Sequence, residues 1–303
     1  MNLNYVKQIE DILPFIKQIS SKTETKALKD MARALVGAIN EAGIDYLAYR
    51  QDYENDNIFN PDCLLSSNDN LFDFVKPPYK DFASILFELR PVGLGTPNAM
   101  VGEGEFMALF CSPRVGISKK KNTGDITVDD KTVELKGEMV RIMGNISGKN
   151  VQKHAEALSK KYSIHPNETS KQRTAYEPWG LAGNKENHWQ NQFNNLGQKQ
   201  SIQYLTELLE PVIPIKDYDL SECFTTGVFS ASKLQQILLK GLFKQQTKKW
   251  DAFTIIRTGG KITSISSDIR VFDKKVDSQE IVITGDYFRS FQDTNVGLYC
   301  EHI

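Results

Sequence analysis

The sequence predicts an α/β protein, with a mixed β-sheet flanked by helices and additional helical regions, on three observations. Apolar residues recur at helical spacing near the start of the chain, apolar and polar residues alternate on either side of a polar Asp129-Asp130 turn in 126–135, and Gly259-Gly260 separates two β-branched runs. Helical period and strand period mark different elements, so both kinds are expected in one chain. At 303 residues the chain suits one large domain or two modest ones. The expected division is a helical N-terminal region over 1–80 and a core over 81–303, carrying a helical insertion at about 146–250.

In chain order, Leu3, Val6, Ile9, Leu13, Ile16 and Ile19 line one face of a first helix, with Pro14 as a kink. A second helix runs from about Glu24 to Ala42 and ends at Gly43. Residues 50–80 are rich in Asn, Asp and Pro, with Pro77-Pro78, and read as an irregular connection holding one short helix. Asp81 to Leu89 fits both periods, so its type is left open. The glycines around 93–104 approach a helix opened by Glu105; they match neither a Walker loop nor a dinucleotide fingerprint, and serve tight turning or close approach. Beyond residue 148 come a helix over about 149–161, a polar loop over 163–188, and helices over about 187–209 and 231–246. A β segment follows, with strands at about 251–258, 261–272 and 280–288 and a hairpin turn at Gly259-Gly260.

The chemistry concentrates between residues 124 and 137. A turn at Asp129-Asp130 pairs Val128 with Lys131, Thr127 with Thr132, Ile126 with Val133 and Asp125 with Glu134. Glu134 and Lys136 then share one face while Val133 and Leu135 point to the other. Opposed residues on an antiparallel pair hold their Cβ atoms roughly 5 Å apart, and like charges there repel unless a cation lies between them. That register asks for a metal. Magnesium takes oxygen ligands and is usually held by one or two carboxylates, waters and substrate phosphate oxygens, which suits Asp125 and Glu134. Lys136 can orient or deprotonate the attacking water or offset transition-state charge; a base role requires a lowered pKa.

Asp125, eight residues, and then Glu134-Leu135-Lys136 resembles the PD-(D/E)xK nuclease superfamily, which includes type II restriction endonucleases, Holliday-junction resolvases and phage recombination exonucleases. The resemblance covers roughly residues 95–145 and a later strand near 251–257. It implies a restriction-endonuclease-like core: a helix, a three-stranded antiparallel unit, a helix and a further strand, with the metal-binding acids on the second and third strands. Phe253-Thr254-Ile255-Ile256 is the candidate for the further strand. Many members carry a glutamate on the first core helix; Glu105 is the candidate for that position and Glu103 its competitor. Gly124 stands where the motif name has proline. The glutamate helix, the lysine-rich loop, Gly-Asp and Glu-Leu-Lys-Gly with Arg141 nearby also look like nuclease-like proteins of tailed phages. The implied activity is Mg2+-dependent endonucleolytic hydrolysis of DNA, with Mn2+ able to substitute. Asp125, Glu134 and Glu105 would ligate metal, and Lys136 would assist the water. The rival from another class is a non-catalytic phage structural or DNA-binding protein that keeps the fold without turnover.

Composition narrows the partners. A net charge of −1 gives no global attraction to nucleic acid, so DNA affinity must come from local patches. Arg114 with Lys119-Lys120-Lys121 lies between the first core helix and Asp125, and together with Arg141 supplies candidate phosphate contacts. Lys240, Lys244 and Lys248 recur every four residues on one helix face, with Lys249 beside them. Symmetric cutting of a palindrome would require a homodimer. Tyr176, Trp179 and Trp189 are stacking candidates, although aromatic residues bury more often than they bind bases. Cys63, Cys111, Cys223 and Cys300 lack any C-x-x-C pairing and read as buried thiols, and the four histidines show no ligand spacing. No apolar run reaches membrane-span length and charges interrupt the start, which predicts a cytoplasmic protein, or a virion-associated one if phage-encoded.

Overall fold

The computed structural model describes residues 3–19, 25–89, 104–118, 124–137, 140–165, 185–247, 249–288 and 295–302. In chain order it builds helices α1 (Leu3–Ile19), α2 (Thr25–Glu41), α3 (Tyr46–Glu54), α4 (Cys63–Ser66), α5 (Lys80–Glu88) and α6 (Glu105–Cys111). Strands β1 (Val115–Ile117), β2 (Ile126–Val128), β3 (Lys131–Lys136) and β4 (Val140–Ser147) follow, then α7 (Gly148–Tyr162), α8 (Lys185–Leu196), α9 (Gln198–Leu209) and α10 (Ala231–Gln246). The chain ends with β5 (Ala252–Ile256), β6 (Ile262–Ser266), α11 (Ile269–Asp277), β7 (Ile281–Phe288) and β8 (Asn295–His302). These elements form two compact units, one of residues 1–138 and 249–267, the other of 139–248 and 268–303. The units are cut differently from the expected 1–80 and 81–303, because α1 to α5 share one core with α6 and the sheet that follows it.

The first unit is a five-stranded mixed sheet, in the order β1-β2-β3-β5-β6, with helices against it. Strands β1, β2 and β3 pair antiparallel, β3 pairs parallel with β5, and β5 pairs antiparallel with β6. Parallel neighbours need a crossover, and here more than a hundred residues separate Lys136 from Ala252. Alternation sets the two faces of the sheet. Ile126, Val128, Val133, Leu135, Ala252, Ile256 and Ile262 point into a core shared with Ile12, Leu35, Tyr49, Phe82 and Phe110 of the helices. Buried tyrosines lock the helical layer to itself, since the Tyr49 and Tyr53 hydroxyls donate to the Phe110 and Leu109 carbonyls at 2.9 and 3.2 Å. Those carbonyls belong to the last turn of α6, where intrahelical partners run out. Thr254 and Ser264 both donate to the Leu64 carbonyl, which ties α4 to β5 and β6.

The second unit holds a three-stranded antiparallel sheet, in the order β4-β8-β7, together with α7 to α11. Its helices enclose an aromatic cluster in which Trp189, Phe193, Tyr204, Phe224 and Phe229 are all buried. Trp189 is therefore a core residue; Tyr176 and Trp179 lie outside the described residues. Among the described residues no helix is long and apolar enough to cross a membrane. The four cysteines are free and buried, and burial pushes the Cys63 and Cys223 thiols up to about 12.

Several expectations change. The segment left open at 81–89 is helix α5. The helix expected over 187–209 breaks at Gly197, whose φ of 76° no other residue type adopts easily. The strand expected over 261–272 stops at Ser266, because Asp268 caps a helix by accepting from the Arg270 amide, and Phe272 and Val276 repeat at helical spacing. Strand β8 had no counterpart in the reading of the sequence, and β1 was implied only by the resemblance, as the first strand of its antiparallel unit, with no residues assigned to it.

Candidate functional site

The site is assembled on the hairpin β2–β3 and the strand that joins its open edge. The pairing is the expected one, Ile126 with Val133, Thr127 with Thr132 and Val128 with Lys131. Asp129 turns the chain with a φ of 54°, and its amide donates to the Arg114 carbonyl at 2.8 Å. At the other end Gly124 takes a φ of 64°, and a Cβ there would lie 2.8 Å from the Val133 carbonyl oxygen. That close approach lets the Asp125 amide donate to the same carbonyl at 2.9 Å, which sets Asp125 across from Glu134.

Asp125, Glu134 and Lys136 come together on the face of β3 turned away from Val133 and Leu135, beside the buried Phe253 and Ile255 of β5. The Lys136 ammonium lies 3.2 Å from Asp125 Oδ2 and 2.5 Å from Glu134 Oε1. Asp125 Oδ2 also accepts the Leu135 amide at 3.0 Å, so its orientation is fixed by the backbone of β3. The three side chains keep 24 to 32% of their surface exposed, enough for a ligand to reach them. The sequence argument that opposed carboxylates demand a metal is thereby corrected: the chain supplies its own cation, and the register alone does not require another.

Electrostatics sharpen the roles. Burial pushes the Glu134 carboxyl above its usual range and Asp125 adds to the rise, against the pull of Lys136 and Lys249. Burial pulls the Lys136 ammonium down, but Asp125 and Glu134 outweigh it and leave its pKa raised. In this arrangement Lys136 is a held cation, and general-base work by it would require those carboxylates to let go.

The remaining expected residues fare differently. Glu105 opens α6 and is 5% exposed, next to Gly104, which has a φ of 84° and sits so close to Ile256 of β5 that a Cβ would lie 2.6 Å from its Cδ1. Among the described residues no group of three or more His, Cys, Asp or Glu side chains is arranged to hold a metal ion, so Glu105, Asp125 and Glu134 do not close into a three-acid set. Arg114 is engaged with acids: its guanidinium binds Asp62 at 2.6 Å and Asp129 at 2.8 Å, with Asp56 at 3.9 Å. Lys119, Lys120, Lys121, Glu103 and Lys248 lie outside the described residues, and Arg141 is placed only through its backbone in β4. Lys240 and Lys244 pair with Asp277 and Asp217 at 2.6 and 2.9 Å. His154 and His188 contact the backbone oxygens of Glu207 and His165.

Asp251 escaped the reading of the sequence, and Lys249 was read only as part of a basic cluster with Lys240, Lys244 and Lys248. Asp251 Oδ2 accepts the Thr132 amide at 2.8 Å and the Thr132 hydroxyl at 3.0 Å, clasping the start of β5 to β3. Two residues upstream, Lys249 adds a second positive charge that acts on Glu134. Neither placement beside β3 was visible, because both depend on the parallel β3–β5 register, which no local pattern encodes.

The carboxylate pair fits a divalent cation by the chemistry of its donors. Two carboxylate side chains, one just ahead of β2 and one on β3, already grip one cation between them, and magnesium needs no more protein ligands than that when waters and phosphate oxygens complete its shell. Comparison with known proteins adds no family: no family model matches the chain, and neither a curated protein nor a solved structure matches it.

Proposed function

We propose that the protein is a Mg2+-dependent DNA endonuclease with a restriction-endonuclease-like core, as the PD-(D/E)xK resemblance implies. The observation that carries this reading is the convergence of Asp125, Glu134 and Lys136 within ion-pair distance, partly exposed, at one strand of a mixed sheet. The order of elements supports it: helix α6, antiparallel β1-β2-β3, then helices, then β5 parallel to β3. The acids fall just ahead of β2 and on β3, the second and third strands of that unit.

Asp125 and Glu134 would hold the ion, which when bound polarises the phosphodiester and lowers the pKa of a coordinated water. Asp125 is kept in place by the Leu135 amide, so its oxygen needs no reorganisation on binding. Lys136 carries a positive charge beside the reacting phosphate and offsets the charge that builds on its oxygens. Lys249 adds to the positive field on the Glu134 side.

Purified protein incubated with plasmid and linear DNA tests the proposal. Cleavage is expected with Mg2+ or Mn2+, abolished by chelation, and reduced about 10²- to 10³-fold or more in Asp125→Ala and Lys136→Ala. Folded protein that leaves every DNA form intact under these conditions would transfer the assignment to a non-catalytic DNA-binding or phage structural role.

A further inference from the structure

We propose that Lys136 is the resident cation of the free site and competes with the divalent ion for it, so that metal enters as the ammonium is drawn off toward a substrate phosphate. The inference rests on the metal-binding reading of Asp125 and Glu134 above. The ammonium occupies the position between a carboxylate just ahead of β2 and one on β3, at 3.2 Å from the first and 2.5 Å from the second. A divalent ion and an ammonium cannot share that position, because the two positive charges would sit at contact distance with no anion between them.

The geometry decides which partner moves. Asp125 is tied to the Leu135 amide at 3.0 Å, and Glu134 stands within β3, paired with Phe253 of β5, so the backbone of both acids is held in place. Lys136 is the flexible member: its charge rides on a four-carbon stem, its side chain is 27% exposed, and it can leave without disturbing the sheet. Lys249, whose charge also acts on Glu134, makes the empty site less attractive to a free ion. An incoming phosphodiester reverses this balance by offering Lys136 an anion of its own. Metal and phosphate-bearing substrate should therefore bind cooperatively, each strengthening the other by the same factor.

Titration calorimetry with Mn2+ alone tests the competition without reference to activity. Lys136→Gln removes the resident charge and should bind Mn2+ about 5- to 150-fold more tightly than the wild type, the usual span of a coupling between two sites. Lys136→Arg keeps a cation in place and should stay near the wild-type affinity, while Asp125→Asn should lose the site. Thermal melts of each variant establish that it is folded. Equal or weaker Mn2+ binding by folded Lys136→Gln overturns the inference, as does an absence of binding to both proteins. DNA cleavage, measured in parallel, separates this from the nuclease proposal. Wild-type cleavage without tighter binding by Lys136→Gln sinks the competition alone, whereas tighter binding with no wild-type cleavage sinks the nuclease alone. If both hold, Lys136→Gln binds metal better and cuts worse.

Discussion

A lysine whose charge is held by two carboxylates reports its situation through pH. The folded-state pKa of Lys136 is raised above the ordinary lysine value of 10.5, because Asp125 and Glu134 together outweigh the burial that opposes its charge. A raised lysine binds its proton more tightly folded than unfolded, so its stabilising contribution is complete below about pH 10.5 and is lost as pH climbs through the folded value. Glu134 is raised as well, chiefly by burial, so its contribution is complete below its unfolded value and is lost as pH rises through the folded one. Urea unfolding at pH 8 to 11 should therefore show wild-type stability falling on the alkaline side, with a shallower fall in Lys136→Met. Parallel curves for the two proteins would mean that Lys136 is not held as described. The sequence made the three residue types and their shared face legible, because strand alternation is local information. It concealed the engagement of Arg114, whose acidic partners Asp56 and Asp62 lie more than fifty residues away.

At the scale of elements, the hairpin depends on Gly124 more than on its turn. The turn residue Asp129 tolerates its φ of 54°, since aspartate visits the left-handed region at modest cost. Gly124 has both a φ of 64° and no room, with the Val133 backbone where a Cβ would go. Gly124→Ala should destabilise the protein by about 1–3 kcal/mol through backbone strain. It should also shift Asp125 away from Lys136 and the Leu135 amide, so cleavage falls further than stability does. Denaturant melts beside initial cleavage rates check this; a variant that is destabilised yet fully active at low temperature would show that Gly124 does not set the position of Asp125. The motif position that carries proline in the superfamily name is occupied here by a residue with its own backbone reason. Sequence patterning also located β5, through its run of buried β-branched and aromatic residues. It overextended the next strand because apolar residues recur from Ile262 to Phe272, at Ile265, Ile269 and Val271 between them, and only the Asp268 cap marks the change of period.

For the whole molecule, the chain passes between its two compact units after residues 138, 248 and 267. Glu105, Arg114, Asp125, Glu134, Lys136 and Lys249 all belong to the first unit, whereas Arg141, on β4, belongs to the second. This organisation was beyond reach of local patterns, since the sheet of the second unit joins β4 to strands more than a hundred residues later. It yields a test by truncation. Removing residues 268–303 takes away α11, β7 and β8, and β8 is the middle strand of the order β4-β8-β7. Without it, β4 loses its partner and the backbone groups of Val140 to Met143 lose their ladder. The first unit loses nothing from its five-stranded sheet or from the core around Phe110 and Ile126. In hydrogen exchange, peptides from residues 140–165 of the truncated protein should exchange rapidly, while those from residues 28–39 and 104–118 stay protected. Uniform loss of protection would mean that the first unit cannot hold its structure without the second, and the candidate site would then belong to the cooperative whole.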